Sequence, residues 1–212
     1  MTDDLHIEPF CLGPWMTFCY VVSSGGRCWI VDAGFDPRRM LDYIEADSLT
    51  LEKVVLTHAH VDHIAGLAEV QQKFPGVPIL IHEAERDFPG DAALNLSLGL
   101  ADPIVAPDPT GTLTHGDTLK LHGHIFEVRH TPGHSPGGIA LYNAGHKVAI
   151  VGDALFPGSI GRTDFPTSNH EQLITAIRRQ LYTLPDDTRV LPGHVGETTI
   201  GREKRTNPFV RA

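Results

Sequence analysis

A chain of 212 residues can bury a sizeable core, and 41% hydrophobic against 20% charged residues is the balance of a globular protein rather than a disordered one. Its 17 basic and 26 acidic residues leave a formal charge of −9, which argues against the basic surface that captures nucleic acid or docks on anionic lipid. No apolar run approaches the ~18 residues of a membrane span.

The first residues, Met1 to Glu8, have neither the cationic start nor the apolar block of a signal peptide. Cys11, Cys19 and Cys28 are odd in number and form no CxxC pair, as expected for reduced packing residues of a soluble cytoplasmic protein. Thr17–Val22 and Arg27–Val31 are apolar runs around Ser23-Ser24-Gly25-Gly26 and read as a hairpin. Pro37–Ala46 sets Met40, Leu41 and Ile44 on one helical face, with Pro37 suited to its first turn. Lys53–Leu56 reads as a buried strand, Ile64–Phe74 as a helix stopped by Pro75-Gly76, and Pro78–Ile81 as another strand.

From Phe88 to Asp117, Pro89, Pro103, Pro107 and Pro109 mark an irregular crossover or lid. Thr118–Leu121, His124–Arg129, Gly138–Tyr142 and Lys147–Val151 follow as strands. Glu171–Leu184 is a helix with Leu173, Ile174, Ile177, Leu181 and Leu184 facing the core; the strand Thr188–Leu191 and a short helix around Ile200–Arg205 end the chain. Two strand groups, each closed by helices, predict a layered α/β fold of two similar halves within one domain, residues 1–212.

The informative segment is Thr57-His58-Ala59-His60-Val61-Asp62-His63. At about 100° per residue a helix sets His58 and His60 nearly opposite, whereas in extended chain residues i and i+2 point the same way. The cluster therefore belongs to a loop leaving the strand Lys53–Leu56. Asp62 alone reads equally well as a helix cap. Four such side chains beside an apolar run are costly to bury unless a cation satisfies them, and imidazole with carboxylate suits zinc, iron or manganese.

Three more ligand-type residues each follow a strand, flanked by Gly or Pro: His134 in Thr131-Pro-Gly-His134, Asp153 in Val151-Gly-Asp153 and His194 in Pro192-Gly-His194. In α/β sheets ligands gather at the carboxyl ends of strands. Seven candidates are too many for one tetrahedral ion but suit two ions sharing a carboxylate.

In this order, these residues resemble the metallo-beta-lactamase superfamily over nearly the whole chain. The resemblance implies a four-layer αβ/βα sandwich and two divalent ions, zinc foremost, with iron or manganese as alternatives. It puts His58, His60 and His134 on the first ion and Asp62, His63 and His194 on the second, with Asp153 bridging. The stretch from Asp153 to Phe165, which includes Gly161-Arg-Thr-Asp164, and the ending Thr206-Asn-Pro-Phe209 look like the glyoxalase II group (hydroxyacylglutathione hydrolases) and its small bacterial relatives. That likeness implies a thioesterase cleaving S-acylglutathione, such as S-lactoylglutathione, by a metal-bridging hydroxide, with Asp62 as proton acceptor.

Arg162 fits a substrate carboxylate bidentately and Arg211 is a second candidate; an ion pair with Asp164 is the competing role for Arg162. Persulfide dioxygenases share the pattern and a similar Gly-Arg-Thr-Asp loop, with one iron on His58, His134 and Asp153, and are the alternative. Of the other histidines, His82, His115 and His130 border strands and read as packing residues. Asp32, in Val31-Asp-Ala-Gly34, reads as a turn former.

Overall fold

The computed structural model describes residues 4–211; the first three residues of the acidic start and residue 212 lie outside them. The chain divides into two compact units, Met1–Leu113 with Lys120–His124, and Thr114–Leu119 with Ile125–Ala212.

In the first unit the elements are β1 (His6–Leu12), β2 (Thr17–Ser24), β3 (Arg27–Val31), α1 (Arg38–Ala46), β4 (Thr50–Val55), α2 (Val61–Ile64), α3 (Leu67–Lys73), β5 (Ile79–His82) and β6 (Gly111–Leu113). They form a six-stranded sheet in the order β1-β2-β3-β4-β5-β6. The first three strands are antiparallel and the rest parallel. Gly25 and Gly26 both have positive φ, the turn that lets β2 fold back on β3 without splaying. The core joins Val21, Ile30, Val54, Ile79 and Ile81 of the sheet to Met40, Leu41 and Ile44 of α1 and Leu67 and Val70 of α3. Because β3, β4 and β5 are parallel, the residues that follow each of them, and the start of β2, share one edge of this sheet.

The helix expected over Ile64–Phe74 is instead two, broken at Ala65-Gly66. Gly66 donates its N–H to Ala33 O at 2.8 Å. A Cβ on Gly66 would stand 2.4 Å from Gly34 O, so only glycine lets the chain pass this close to the loop after β3. The crossover is irregular as expected until β6, with Asn95 Nδ2 holding Pro89 O and Ile104 O at 3.1 and 3.0 Å.

The remaining elements are β7 (Thr118–Leu121), β8 (His124–His130), β9 (Ile139–Asn143), β10 (Val148–Gly152), the hairpin β11 (Leu155–Phe156) and β12 (Ser159–Ile160), α4 (His170–Ala176), β13 (Arg189–Pro192), β14 (Thr198–Thr199) and α5 (Ile200–Thr206). The second six-stranded sheet has the order β14-β13-β10-β9-β8-β7. Strand β9 is antiparallel to β8 and β10, and β10 is parallel to β13. Strands β8, β10 and β13 thus run the same way, and the loops after them leave from one edge.

Ala140, Ala149, Val151 and Val190 pack with Leu173, Ile177, Leu181 and Ile200. The predicted helix Glu171–Leu184 starts at an Asn169 cap and widens into a π-helical turn at Ile177–Leu181. Buried Glu203 ties this unit's end together, accepting from Thr198 Oγ1, Gly158 N and Asn207 Nδ2 at 2.6, 2.8 and 3.0 Å. Among the described residues no helix is long and apolar enough to cross a membrane.

Candidate metal centre

In the first unit, the chain leaving β4 carries His58, His60, Asp62 and His63, all buried. Their support is Asp32, the residue after β3. Its carboxylate accepts Thr57 N and Thr57 Oγ1, each at 2.7 Å, and stands 2.8 Å from His63 Nδ1. A carboxylate only accepts, so His63 carries its proton on Nδ1 and presents the Nε2 lone pair. Thr57 gives its single proton to Asp32, so the 3.2 Å contact of Thr57 Oγ1 with His58 Nδ1 has the imidazole as donor. That sets His58 in the same tautomer.

The backbone between His58 and His60 is fixed by the fully buried Glu85, whose Oε2 accepts Ala59 N at 2.6 Å. Asp62 Oδ2 accepts from Thr17 Oγ1 at 2.7 Å. Cys19 Sγ accepts Gly34 N at 3.2 Å; burial and the nearby Asp32 charge push this thiol up, so it stays neutral.

In the second unit, His134 follows β8, Asp153 follows β10 and His194 follows β13. His134 Nδ1 donates to Arg162 O at 2.8 Å, again leaving Nε2 as the ligand face. Gly161 makes this approach possible, since a Cβ there would lie 1.9 Å from Asp153 O and 2.9 Å from His134 Nδ1. Asp153 Oδ2 stands 3.5 Å from His134 Nε2 and equally 3.5 Å from His194 Nε2.

These spacings test whether a metal fits. In the first unit Asp62 Oδ2 and His63 Nε2 are likewise 3.6 Å apart. Such separations are long for a hydrogen bond. Two donors each about 2.1 Å from one tetrahedral cation stand about 3.4 Å apart, which matches them. Imidazole and carboxylate donors so spaced fit a divalent transition metal.

Arg162 pairs bidentately with Asp164, at 2.9 and 2.8 Å, and lies 4.5 Å over the Phe165 ring. The hydrogen bond to Arg162 holds the Asp164 carboxyl below its ordinary value. Arg211 is exposed, and its carbonyl accepts from Arg178 Nε at 3.0 Å. His82 caps a short turn through Ala84 N, His115 Nδ1 faces His130 N, and His130 Nε2 donates to Pro136 O. Asp32 does more than form a turn, and Glu85 and Thr17 carried no signal in the sequence.

The model of the Metallo-beta-lactamase superfamily matches residues 12–194. The chain belongs to this superfamily. Relatives in it include the probable metallo-hydrolase YqgX of Bacillus subtilis, 40% identical over 94% of both chains. The hydroxyacylglutathione hydrolase GloC of Haemophilus influenzae is 40% identical over 86% of this chain and 87% of its own. Among solved structures, the BLEG-1 B3 metallo-beta-lactamase has a TM-score of 0.92 at 36% identity, covering 98% of this chain and 100% of that one. TTHA1623 in a di-iron-bound form has a TM-score of 0.85 at 35% identity, covering 96% of this chain and 100% of that one. ETHE1 from Myxococcus xanthus has a TM-score of 0.77 at 28% identity, covering 96% of this chain and 83% of that one. The α/β fold of the superfamily and a metallo-hydrolase with His/Asp metal-binding groups follow from these likenesses.

Proposed function

We propose that this metallo-hydrolase is a two-metal thioesterase that cleaves S-acylglutathione such as S-lactoylglutathione. The observation that carries the two-metal reading is the equal 3.5 Å spacing of Asp153 Oδ2 from the Nε2 atoms of His134 and His194. In this reading His58, His60 and His134 would hold one ion, Asp62, His63 and His194 would hold the other, and Asp153 would be the ligand common to both. The thioester is supported by the 40% identity to GloC. Zinc is the proposed ion, and the same donors also accept iron or manganese.

When bound, such a pair of cations would supply a water of much lowered pKa, near neutrality, and a Lewis acid for the acyl carbonyl. The chain's own part begins at Asp62, held by Thr17, whose carboxylate takes the proton of the attacking water. The water oxygen bonds to the acyl carbon, the C–S bond breaks, and sulfur leaves with the electron pair. A thiol pKa of about 8.5 makes the thiolate an adequate leaving group, so no general acid is required. Arg162 is the proposed grip on a substrate carboxylate and exchanges Asp164 for it; Arg211 is the second candidate. The reading carries with it a small-molecule substrate met in the cytosol, and no nucleic-acid or membrane partner.

The test is thiol release from S-lactoylglutathione compared with turnover of a lactone and a cephalosporin. Faster release from the thioester is expected. Preference for the lactone or cephalosporin discards the substrate, and dioxygen uptake on a persulfide with one iron per chain discards the reaction class.

A further inference from the structure

Thr17 opens β2 and is buried, and its hydroxyl donates at 2.7 Å to Asp62, 45 positions away. The oxygen it reaches, Oδ2, is also the one 3.6 Å from His63 Nε2, so the hydroxyl holds the edge of the carboxylate that faces the histidine. A carboxylate held by one such bond loses its freedom to rotate about the Cβ–Cγ axis. We propose that Thr17 is a positioning residue for the metal: its hydroxyl locks Asp62 with Oδ2 toward the ion that Asp62 and His63 share, and sets the affinity of that ion alone. This rests on Asp62 being a metal ligand, as proposed above.

The local build fixes the hydroxyl ahead of any ion. The turn before Thr17 is closed by Met16 N donating to Gly13 O at 3.3 Å, with Gly13 and Met16 at φ +63° and +54°. It sits so tightly that a Cβ on Gly13 would meet Phe35 Cβ at 2.6 Å, and Trp15 packs edge-on to Phe35 with centroids 5.6 Å apart. Strand alternation puts Cys19 on the same face as Thr17, and its sulfur accepts Gly34 N at 3.2 Å. A Cβ on Gly34 would in turn lie 2.7 Å from Asp62 O. One face of β2 thus grips the Asp32–Gly34 segment and Asp62 together. The branched threonine, stiff at χ1, holds its hydroxyl in one direction there.

The experiment titrates metal-free protein with Zn2+ against a chromophoric chelator, comparing wild type, Thr17→Val, Thr17→Ala, Thr17→Ser and Asp62→Asn. Thr17→Val keeps the shape and removes the donor; Thr17→Ser keeps the donor. Both hydroxyl-free variants are expected to bind one of two ions about 10–100-fold more weakly and the other nearly as wild type, with Thr17→Ser close to wild type on both. Unchanged isotherms for Thr17→Val, equal weakening of both ions, or a Thr17→Ser loss as large as that of Thr17→Val would overturn the proposal.

Circular dichroism of the metal-free variants checks the fold; if Thr17→Val and Thr17→Ala are both unfolded, Thr17 is a folding residue and the proposal fails. Asp62→Asn separates the two readings. If it loses one ion while Thr17→Val loses none, only the role of Thr17 falls. If it binds both ions as wild type does, the assignment of Asp62 falls as well.

Discussion

Asp32 acts on His63 as the Arg162 carbonyl acts on His134: each accepts a hydrogen bond from Nδ1–H and leaves the Nε2 lone pair to face a metal. Replacing Asp32 with alanine removes that lock and the anchor of Thr57. Asp32→Ala is expected to weaken metal binding about 10–100-fold, read by competition titration, and wild-type affinity would contradict the assignment. A second residue has the opposite sign. Val195, directly after His194, lies at φ +73° with a 72% exposed side chain, in a turn closed by Gly196 N on His194 O at 2.9 Å.

A branched residue in the left-handed region costs roughly 1–2 kcal/mol, and little burial offsets it here. Val195→Gly should therefore stabilise the protein by up to about 1 kcal/mol, after glycine's own entropy is counted. A lowered unfolding midpoint in denaturant would show that the side chain has a partner. The ligand-type residues were legible because they cluster within six positions or follow strands beside Gly or Pro. Asp32, Glu85 and Thr17 were not, because the groups they hold lie 25, 26 and 45 positions away.

Elements were legible where one periodicity governs a whole segment, as in α1, whose buried Met40, Leu41 and Ile44 follow the predicted face. They were misread where tertiary contact overrides periodicity. The close approach of Gly66 to Gly34 splits one expected helix, and a wide turn at Ile177 alters another. Strand β1 is not among the elements expected from the sequence; its Pro9 lacks a ladder N–H, which an edge strand tolerates.

The hairpin of β13 and β14 is clamped by Arg189, which bonds Glu197 at 2.7 and 2.9 Å. That hydrogen bond lowers the Glu197 carboxyl below its ordinary 4.5. A depressed carboxylate pKa contributes stability above its unfolded value and loses it as pH falls through the folded one. Both side chains are about half exposed, so the pair is worth under about 1 kcal/mol. Arg189→Met is expected to cost that much at neutral pH, with the difference from wild type closing as the pH falls below the carboxyl's ordinary 4.5 and through its lowered value. A difference that persists in acid would assign the loss to packing of the arginine stem.

For the whole molecule, ions held only by the native state couple binding to stability. At 100 times Kd a ligand adds about 2.7 kcal/mol, and for a chain of this size each kcal/mol moves Tm by about 2–4 °C. Chelation should thus lower Tm by roughly 5–10 °C, restored by adding the ion back; an unchanged Tm would mean that the His/Asp groups hold no ion tightly.

If two ions share Asp153 as a ligand, the metal content of the protein should show it. Protein purified without added metal should carry about two ions per chain, falling to one or fewer in Asp153→Ala. A single ion per chain in the wild type, unaltered by that substitution, would contradict the account.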